Sequence, residues 1–179
     1  AIINGDDALS DRLAAAAAPY AEHIFIFGEH GTDARLLSYR AIGEAGAVEA
    51  EILGKRIEYV IGAPGKHIAL NSLAALLIAE VFGIGAEQAA ATLATFSPPS
   101  GRGQREVIDT PQGSFTLIDE SYNANPTSLR AALEQLGAAE PGRGGRRVVV
   151  LGDMLELGPE GADLHAGAAP DLVAARSEE

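Results

Sequence analysis

The chain has no cysteine and no tryptophan, one methionine, four tyrosines and five phenylalanines. Without cysteine, neither a disulfide framework nor a thiolate metal site is open to it. This fits a reducing compartment, and a cytoplasmic location is expected. Basic residues are also scarce. Thirteen Lys and Arg stand against 25 Asp and Glu, a formal net charge of -12. Phosphate contact drives affinity for nucleic acid, so no nucleic-acid partner is expected. An anionic nucleotide would need a local cation, a metal or a helix N-terminus. No apolar run reaches the ~18 to 20 residues that span a bilayer, so no membrane insertion is expected. The opening Ala1-Ile-Ile-Asn4 has no basic n-region, and no secretory signal is expected.

What is present is a globular balance, 47% hydrophobic and 21% charged over 179 residues. That length suffices for one domain or two small ones. The informative stretch is Phe115-Thr-Leu-Ile-Asp-Glu-Ser-Tyr-Asn-Ala-Asn-Pro126. Phe115, Leu117 and Ile118 predict a buried strand. Asp119 to Asn125 then form a dense polar loop. Asn125 is a good N-cap, and Pro126 suits the first turn of a helix. Leu129, Ala132, Leu133 and Leu136 follow at i, i+3, i+4 and i+7, one helical face. Ligands in open α/β sheets bind beyond the carboxyl ends of strands, so this loop is a site candidate.

Before it, Asp6 or Asp7 is expected to cap a helix through Leu9 and Leu13 to Ala18. Strands are predicted over 23–27, 34–41, 47–53 and 56–61, with a hairpin at Gly54-Lys55. Gly62 to His67 imitates a phosphate-binding loop and fails. Val60 stands at the first glycine position, and His67 where a hydroxyl should bind metal. A helix is predicted over 67–82, with Leu70, Leu73, Ala74, Leu77, Ile78 and Val81 as its apolar stripe. Another is predicted over 86–95. His23 and His30 have no third ligand in pattern and read as surface residues. Ser97 to Arg105, rich in Pro and Gly, predicts a hinge. A hairpin is predicted around Thr110-Pro-Gln-Gly113. Arg146 to Leu151 predicts a second buried strand, parallel to 115–118 after a right-handed crossover. That would bring loops 119–125 and 152–158 to one sheet edge. No Gly-x-Gly-x-x-Gly follows a strand, which excludes a doubly wound dehydrogenase.

Three of these stretches carry a resemblance. Asp119-Glu-Ser-Tyr-Asn-Ala-Asn-Pro126 resembles the signature that opens the C-terminal domain of Mur ligases. Gly65-Lys-His-Ile-Ala-Leu-Asn-Ser-Leu-Ala-Ala75 agrees with the family in order and spacing. So does Val148-Val-Val-Leu-Gly-Asp-Met-Leu-Glu-Leu-Gly158, with Leu164-His165 after it. The resemblance implies an α/β fold in two parts. Residues 1–106 would be the end of a central ATP-binding domain. Residues 107–179 would begin a Rossmann-like C-terminal ligase domain with parallel strands. The family's P-loop, its catalytic Glu and His and its carbamylated Lys are not in the sequence, so a fragment inactive by itself is expected.

The implied chemistry is ATP-dependent amide ligation. It is that of the members joining D-alanyl-D-alanine to UDP-N-acetylmuramoyl-tripeptide in peptidoglycan precursor synthesis. ATP and Mg2+ are the implied cofactors, the two substrates the partners, and a monomer the expected state. By resemblance Asn71 contacts adenine, and Arg102 reaches ribose or phosphate, with Arg105 less closely matched. One acid of Asp119 and Glu120 would bond the ribose hydroxyls; the family usually has two Asp there. Ser121, Tyr122, Asn123 and Asn125 would line the cleft near the acceptor. No catalytic or metal-binding residue is assigned. Turn and cap chemistry alone also accounts for the loop. A non-catalytic α/β binding domain that retains the scaffold is therefore the alternative.

Overall fold

A computed structural model describes residues 1–176. The chain divides into two compact units, Ala1–Ser97 and a second from Pro98 onward. The boundary expected after Glu106 falls inside a strand, because Gln104 to Glu106 already pair with the strand that follows.

The first unit holds a five-stranded sheet, in chain order across the sheet. Its strands are β1 (Ile2–Asn4), β2 (Phe25–Gly28), β3 (Ala34–Ile42), β4 (Ala45–Ile52) and β5 (Lys55–Ile61). β1, β2 and β3 run parallel; β3, β4 and β5 are antiparallel. Helix α1 (Ser10–Ala17) makes the crossover from β1 to β2 that a parallel pair requires. Ile52 pairs with Lys55, so the turn is Leu53-Gly54 and not Gly54-Lys55. Both turn residues have positive φ, 47° and 77°. A two-residue turn of that sign matches the twist of the flanking strands.

Helix α2 (Lys66–Val81) covers the sheet. Ala69, Ser72, Leu73, Leu76 and Leu77 face Val48, Ala50, Ile52, Ile57, Tyr59 and Ile61 in one core. The predicted stripe is thus rotated, and Ile78 and Val81 are exposed. The helix is apolar around most of its circumference, so its periodicity does not select a face. A buried polar pair does. Ser72 Oγ donates to the Ala69 carbonyl at 2.7 Å, and the Tyr59 hydroxyl lies 2.7 Å from Ser72 Oγ. With the serine hydrogen committed, Tyr59 is the donor, and both buried groups are satisfied. Burial pushes the Tyr59 phenol up to about 12, against a lowering by the Ser72 bond.

Helix α3 (Ala86–Thr92) leads into a 3-10 turn, Leu93–Thr95. Glu80 of α2 joins these elements. Its carboxylate accepts from the Ala86 N–H at 2.6 Å and from Lys55 of β5 at 3.0 Å.

The expected capping of α1 is not formed, for neither acid accepts from the helix itself. Asp7 accepts from the Leu9 N–H at 2.7 Å. Asp6 turns the other way. It accepts from the backbone N–H groups of Glu29 and His30, at 2.7 and 3.0 Å, and lies 2.9 Å from His30 Nδ1. This ties the loop after β1 to the loop after β2. Gly28 permits the approach: its φ is +142°, and a Cβ there would lie 2.5 Å from Asp6 Oδ2.

In the second unit β6 (Gln104–Thr110) and β7 (Gly113–Asp119) form an antiparallel ribbon. Helix α4 (Pro126–Ala138) follows, and later α5 (Gly161–Gly167) and α6 (Ala169–Arg176). Two expectations are corrected here. Residues 146–151 take no strand conformation, and Val150 is 95% exposed. The parallel crossover to β7 is therefore absent among the described residues. Nor is β7 buried: Phe115 and Leu117 are exposed, as is Val107 on β6. The cause is common to both. A run of β-branched residues becomes a buried strand only between neighbours that take its backbone bonds and cover its faces. Among the described residues, β6 is the only strand that pairs with β7. The core of this unit lies on α4 instead. Leu129 and Leu133 pack with Met154, Ala168 and Ala175.

Leu73→Ala should therefore destabilise the first unit by about 2–5 kcal/mol, the usual cost of a core leucine. Ile78→Ala on the exposed face should cost about 1 kcal/mol or less. Urea unfolding of the two variants checks the face. Equal losses, or a larger loss at Ile78, would contradict it.

Candidate functional site

The site is built where β7 ends. Asp119 is its last residue, and its carboxylate reaches in two directions. Oδ2 accepts from the Gly101 N–H and Oδ1 from the Ser121 N–H, both at 3.1 Å. The Asp119 carbonyl accepts from the Gly103 N–H at 2.8 Å, and the Gly101 carbonyl from the Tyr122 N–H at 3.1 Å. Gly101 to Gly103 are thus laced to the strand-end loop, and the expected hinge from Ser97 to Arg105 is pinned at its centre. Gly101 is buried with φ +77°, and a Cβ there would lie 2.9 Å from the Tyr122 nitrogen. Only glycine allows that approach.

Between these two glycines Arg102 projects its guanidinium over the Tyr122 ring, 4.2 Å from the centroid. At an exposed site such stacking contributes about 0.5–1 kcal/mol. Glu120 lies beside them. Burial pushes its carboxyl up first, and the Asp119 charge adds to this; Arg102 pulls it partly back. Asp119 moves the other way. The Ser121 hydroxyl and N–H hold it below the usual range, with help from Gly101, against desolvation.

The remaining loop residues divide by what they bond. Asn125 is an N-cap in a reciprocal arrangement. Its Oδ1 accepts from the Ser128 N–H, and its own N–H donates to Ser128 Oγ, each at 2.9 Å. Asn123 Oδ1 accepts from the adjacent Ala124 N–H at 3.0 Å. Ser121, Tyr122 and Asn123 are exposed. Asn71 lies in the first unit, exposed on the second turn of α2. The structure thus brings together Arg102, Asp119, Glu120 and Ser121 to Asn125. Asn71 stands on a separate unit.

Met154 and His165 hold the second loop, an arrangement that the sequence pattern does not announce. Met154 is buried, and Ala124 of the first loop packs on the same cluster. His165 of α5 is half-buried. Its Nε2 accepts from the Met154 N–H, so Nδ1 carries the proton and donates to the Gly161 carbonyl, both at 2.9 Å. The one methionine inside Val148–Leu157 is the available signal. Asp153 and Glu156 are exposed, and Glu156 has a positive φ of 63°.

A strand-end loop of acids is thus laced to a Gly-Arg-Gly turn in an α/β chain, and this is the candidate site. Residues 101–177 match the Mur ligase, glutamate ligase domain. The second unit thus carries a domain of the Mur ligase family, and most of the chain is similar to members of that family. The chain's particular likeness is to enzymes named UDP-N-acetylmuramoyl-tripeptide--D-alanyl-D-alanine ligase. That of Mycobacterium bovis is 40% identical over 110 residues, 60% of this chain and 21% of that protein. That of Rickettsia prowazekii is 32% identical over 152 residues, 84% of this chain and 32% of that protein. A crystal structure of MurF from Acinetobacter baumannii superimposes with a TM-score of 0.81 at 27% identity, over 96% of this chain and 36% of that one. MurF from Thermotoga maritima in complex with ADP shares the fold, with a TM-score of 0.74 at 21% identity over 96% of this chain and 38% of that one. The chain spans about a fifth to a third of the length of these two curated relatives.

Two outcomes are expected as pH changes. The Glu120 pKa is raised above its ordinary 4.5, so the folded state binds the proton more tightly. Its stabilisation is present below that value and lost as pH rises. Glu120→Gln should therefore melt at a higher temperature than wild type at neutral pH, with the gap closing in acid. Asp119 is lowered from 3.8, so its stabilisation is present above that value and lost as pH falls. Asp119→Asn should melt lower at neutral pH. Calorimetric melts between pH 3 and 8 check both signs.

His165 sets a third expectation. Its Nε2 accepts from the Met154 N–H, so His165→Ala should release that amide. Amide exchange at Met154 should then quicken more than at Leu133. Equal changes at both would contradict the clamp.

Proposed function

We propose that this chain supplies part of an ATP-dependent amide ligase, one that joins D-alanyl-D-alanine to UDP-N-acetylmuramoyl-tripeptide. The observation that carries the reading is the lacing of Gly101-Arg102-Gly103 to Asp119 and Tyr122. It gathers a cation and a desolvated acid at one strand end, in a chain similar to such ligases over both units. On this reading residues 1–97 come from the central ATP-binding domain, and the second unit from the C-terminal ligase domain. Cytoplasmic action as a monomer, in cell-wall precursor synthesis, belongs to the same proposal.

Each unit, taken by itself, offers groups that a nucleotide can use. Asn71 offers a planar amide that can donate to and accept from adenine. Both Asp119 oxygens are engaged by backbone N–H groups. Glu120 is therefore the acid placed to accept from ribose hydroxyls, and Arg102 the cation for ribose or phosphate. Ser121 and Asn123 face the acceptor dipeptide; Asn125 serves the loop as helix cap.

The phosphates fit less well. Lys66 at the start of α2 is paired with Glu29. No group of three acidic or histidine side chains suited to a metal exists among the described residues. Mg2+ is accordingly assigned no ligand in this segment. When bound, ATP supplies the phosphoryl group that activates the tripeptide carboxylate; the dipeptide amine then displaces phosphate and forms the amide. The part played by these residues is to hold nucleotide and acceptor in reach, the entropic share of catalysis.

Two measurements test this. In a ligase that contains this segment, Arg102→Ala and Glu120→Ala should each raise the KM for ATP. If neither does, the nucleotide assignment fails. The 179-residue chain by itself should bind ATP no more tightly than about millimolar, since each exposed polar contact contributes about 1 kcal/mol net against a binding cost of several. Calorimetric titration reads that affinity. Micromolar binding would point to a phosphate site elsewhere, as the alternative of a self-contained binding domain requires.

A further inference from the structure

We infer that Tyr122 is a positioning residue for Arg102, not a contact for the acceptor dipeptide. The inference rests on the proposed ligase reading for its kinetic consequence and on geometry alone for its structural part. The Arg102 guanidinium stands 4.2 Å from the centroid of the Tyr122 ring. The backbones of the two segments are already fixed. Tyr122 donates from its N–H to the Gly101 carbonyl at 3.1 Å, and Arg102 donates from its own to the Pro99 carbonyl at 3.1 Å. Gly101 has room for no side chain against Tyr122. A ring turned toward an acceptor would abandon the cation.

The pairing has a physical reason. Arg102 carries a long, exposed side chain that would otherwise sample many rotamers. The acids at hand, Glu120 and Asp119, would draw it onto the strand end. Stacking on an aromatic face occupies one side of the guanidinium plane and leaves its edge N–H groups available. A planar donor edge held in that way suits a phosphate or a ribose, which are bound by forked N–H donors. The ring supplies this through its π face, so the phenolic hydroxyl is dispensable.

The test has a structural arm and a kinetic arm. In the 179-residue chain, NMR should show the Arg102 δ-methylene protons shifted upfield by the ring current. The shift should persist in Tyr122→Phe and vanish in Tyr122→Leu, while the Gly101 amide stays protected in all three. No ring-current shift in the wild type overturns the inference. In the ligase that contains this segment, Tyr122→Leu should raise the KM for ATP roughly two- to five-fold, as loss of an exposed stacking contact predicts. Tyr122→Phe should restore it, and Tyr122→Leu should add nothing to Arg102→Ala. The KM for D-alanyl-D-alanine should not move. If that KM rises instead, Tyr122 serves the acceptor and the inference is overturned. If Arg102→Ala leaves the KM for ATP unchanged, the nucleotide role of Arg102 fails, and the ring-current result still decides whether Tyr122 holds it.

Discussion

The site depends on one carboxylate. Asp119 ends β7 and accepts from Gly101 on one side and Ser121 on the other. Both donors are backbone N–H groups that no ladder partner could serve, because the strand pairing stops there. An ionised acceptor makes the stronger kind of hydrogen bond, and two such bonds from one group fix a relative position and not merely a distance. Everything else at the site inherits that placement. Gly101 carries Arg102, Ser121 leads to Tyr122, and the stacked pair closes the ring of contacts. An acid that performs this task is not available to a ligand, and on the proposed reading the neighbouring Glu120 takes that role.

The two units solve the same problem with different means. In the first, a five-stranded sheet is covered by α2, and the core is continuous from β3 to α3. Its loops are then fixed from within, as by Asp6 between the loops after β1 and β2. In the second, the ribbon of β6 and β7 leaves Phe115, Leu117 and Val107 exposed. Its apolar cluster sits on α4, with Met154 and the helices α5 and α6. The strand-end loop is therefore braced from the helix side, through Ala124 and the Asn125 cap, and by the Gly101 turn.

Much of this is legible in the residues. Asn125-Pro126 predicts the start of α4, because a cap and a fixed φ are local properties that need no partner. The same holds for the hairpin at Pro111-Gln112, whose flanking Thr110 and Gly113 pair as the turn chemistry requires. What the residues leave hidden is non-local. The α2 stripe cannot be placed from periodicity, since Leu70 and Ile78 are as apolar as Leu76 and only the sheet distinguishes them. The run Val148–Leu151 reads as a buried strand, yet strand formation is a property of its neighbours. The split between Asp119 and Glu120 is hidden too. Both are acids at a strand end, and only the hydrogen bonds separate the brace from its neighbour.

The charge balance gives the Arg102 stack its weight. A chain with net charge -12 repels an anionic ligand over most of its surface. An exposed arginine in such a field is drawn to the nearest carboxylate, and a salt bridge of that kind would occupy its donor edge while contributing little. Two features of the strand end work against this. Asp119 has its oxygens filled by backbone donors, so it offers no open fork. Glu120 is desolvated, which lowers its own tendency to ionise. The aromatic face of Tyr122 then competes for the guanidinium without neutralising it. The result is a cation kept positive and oriented in an acidic protein, at the edge where the chain gathers its polar residues.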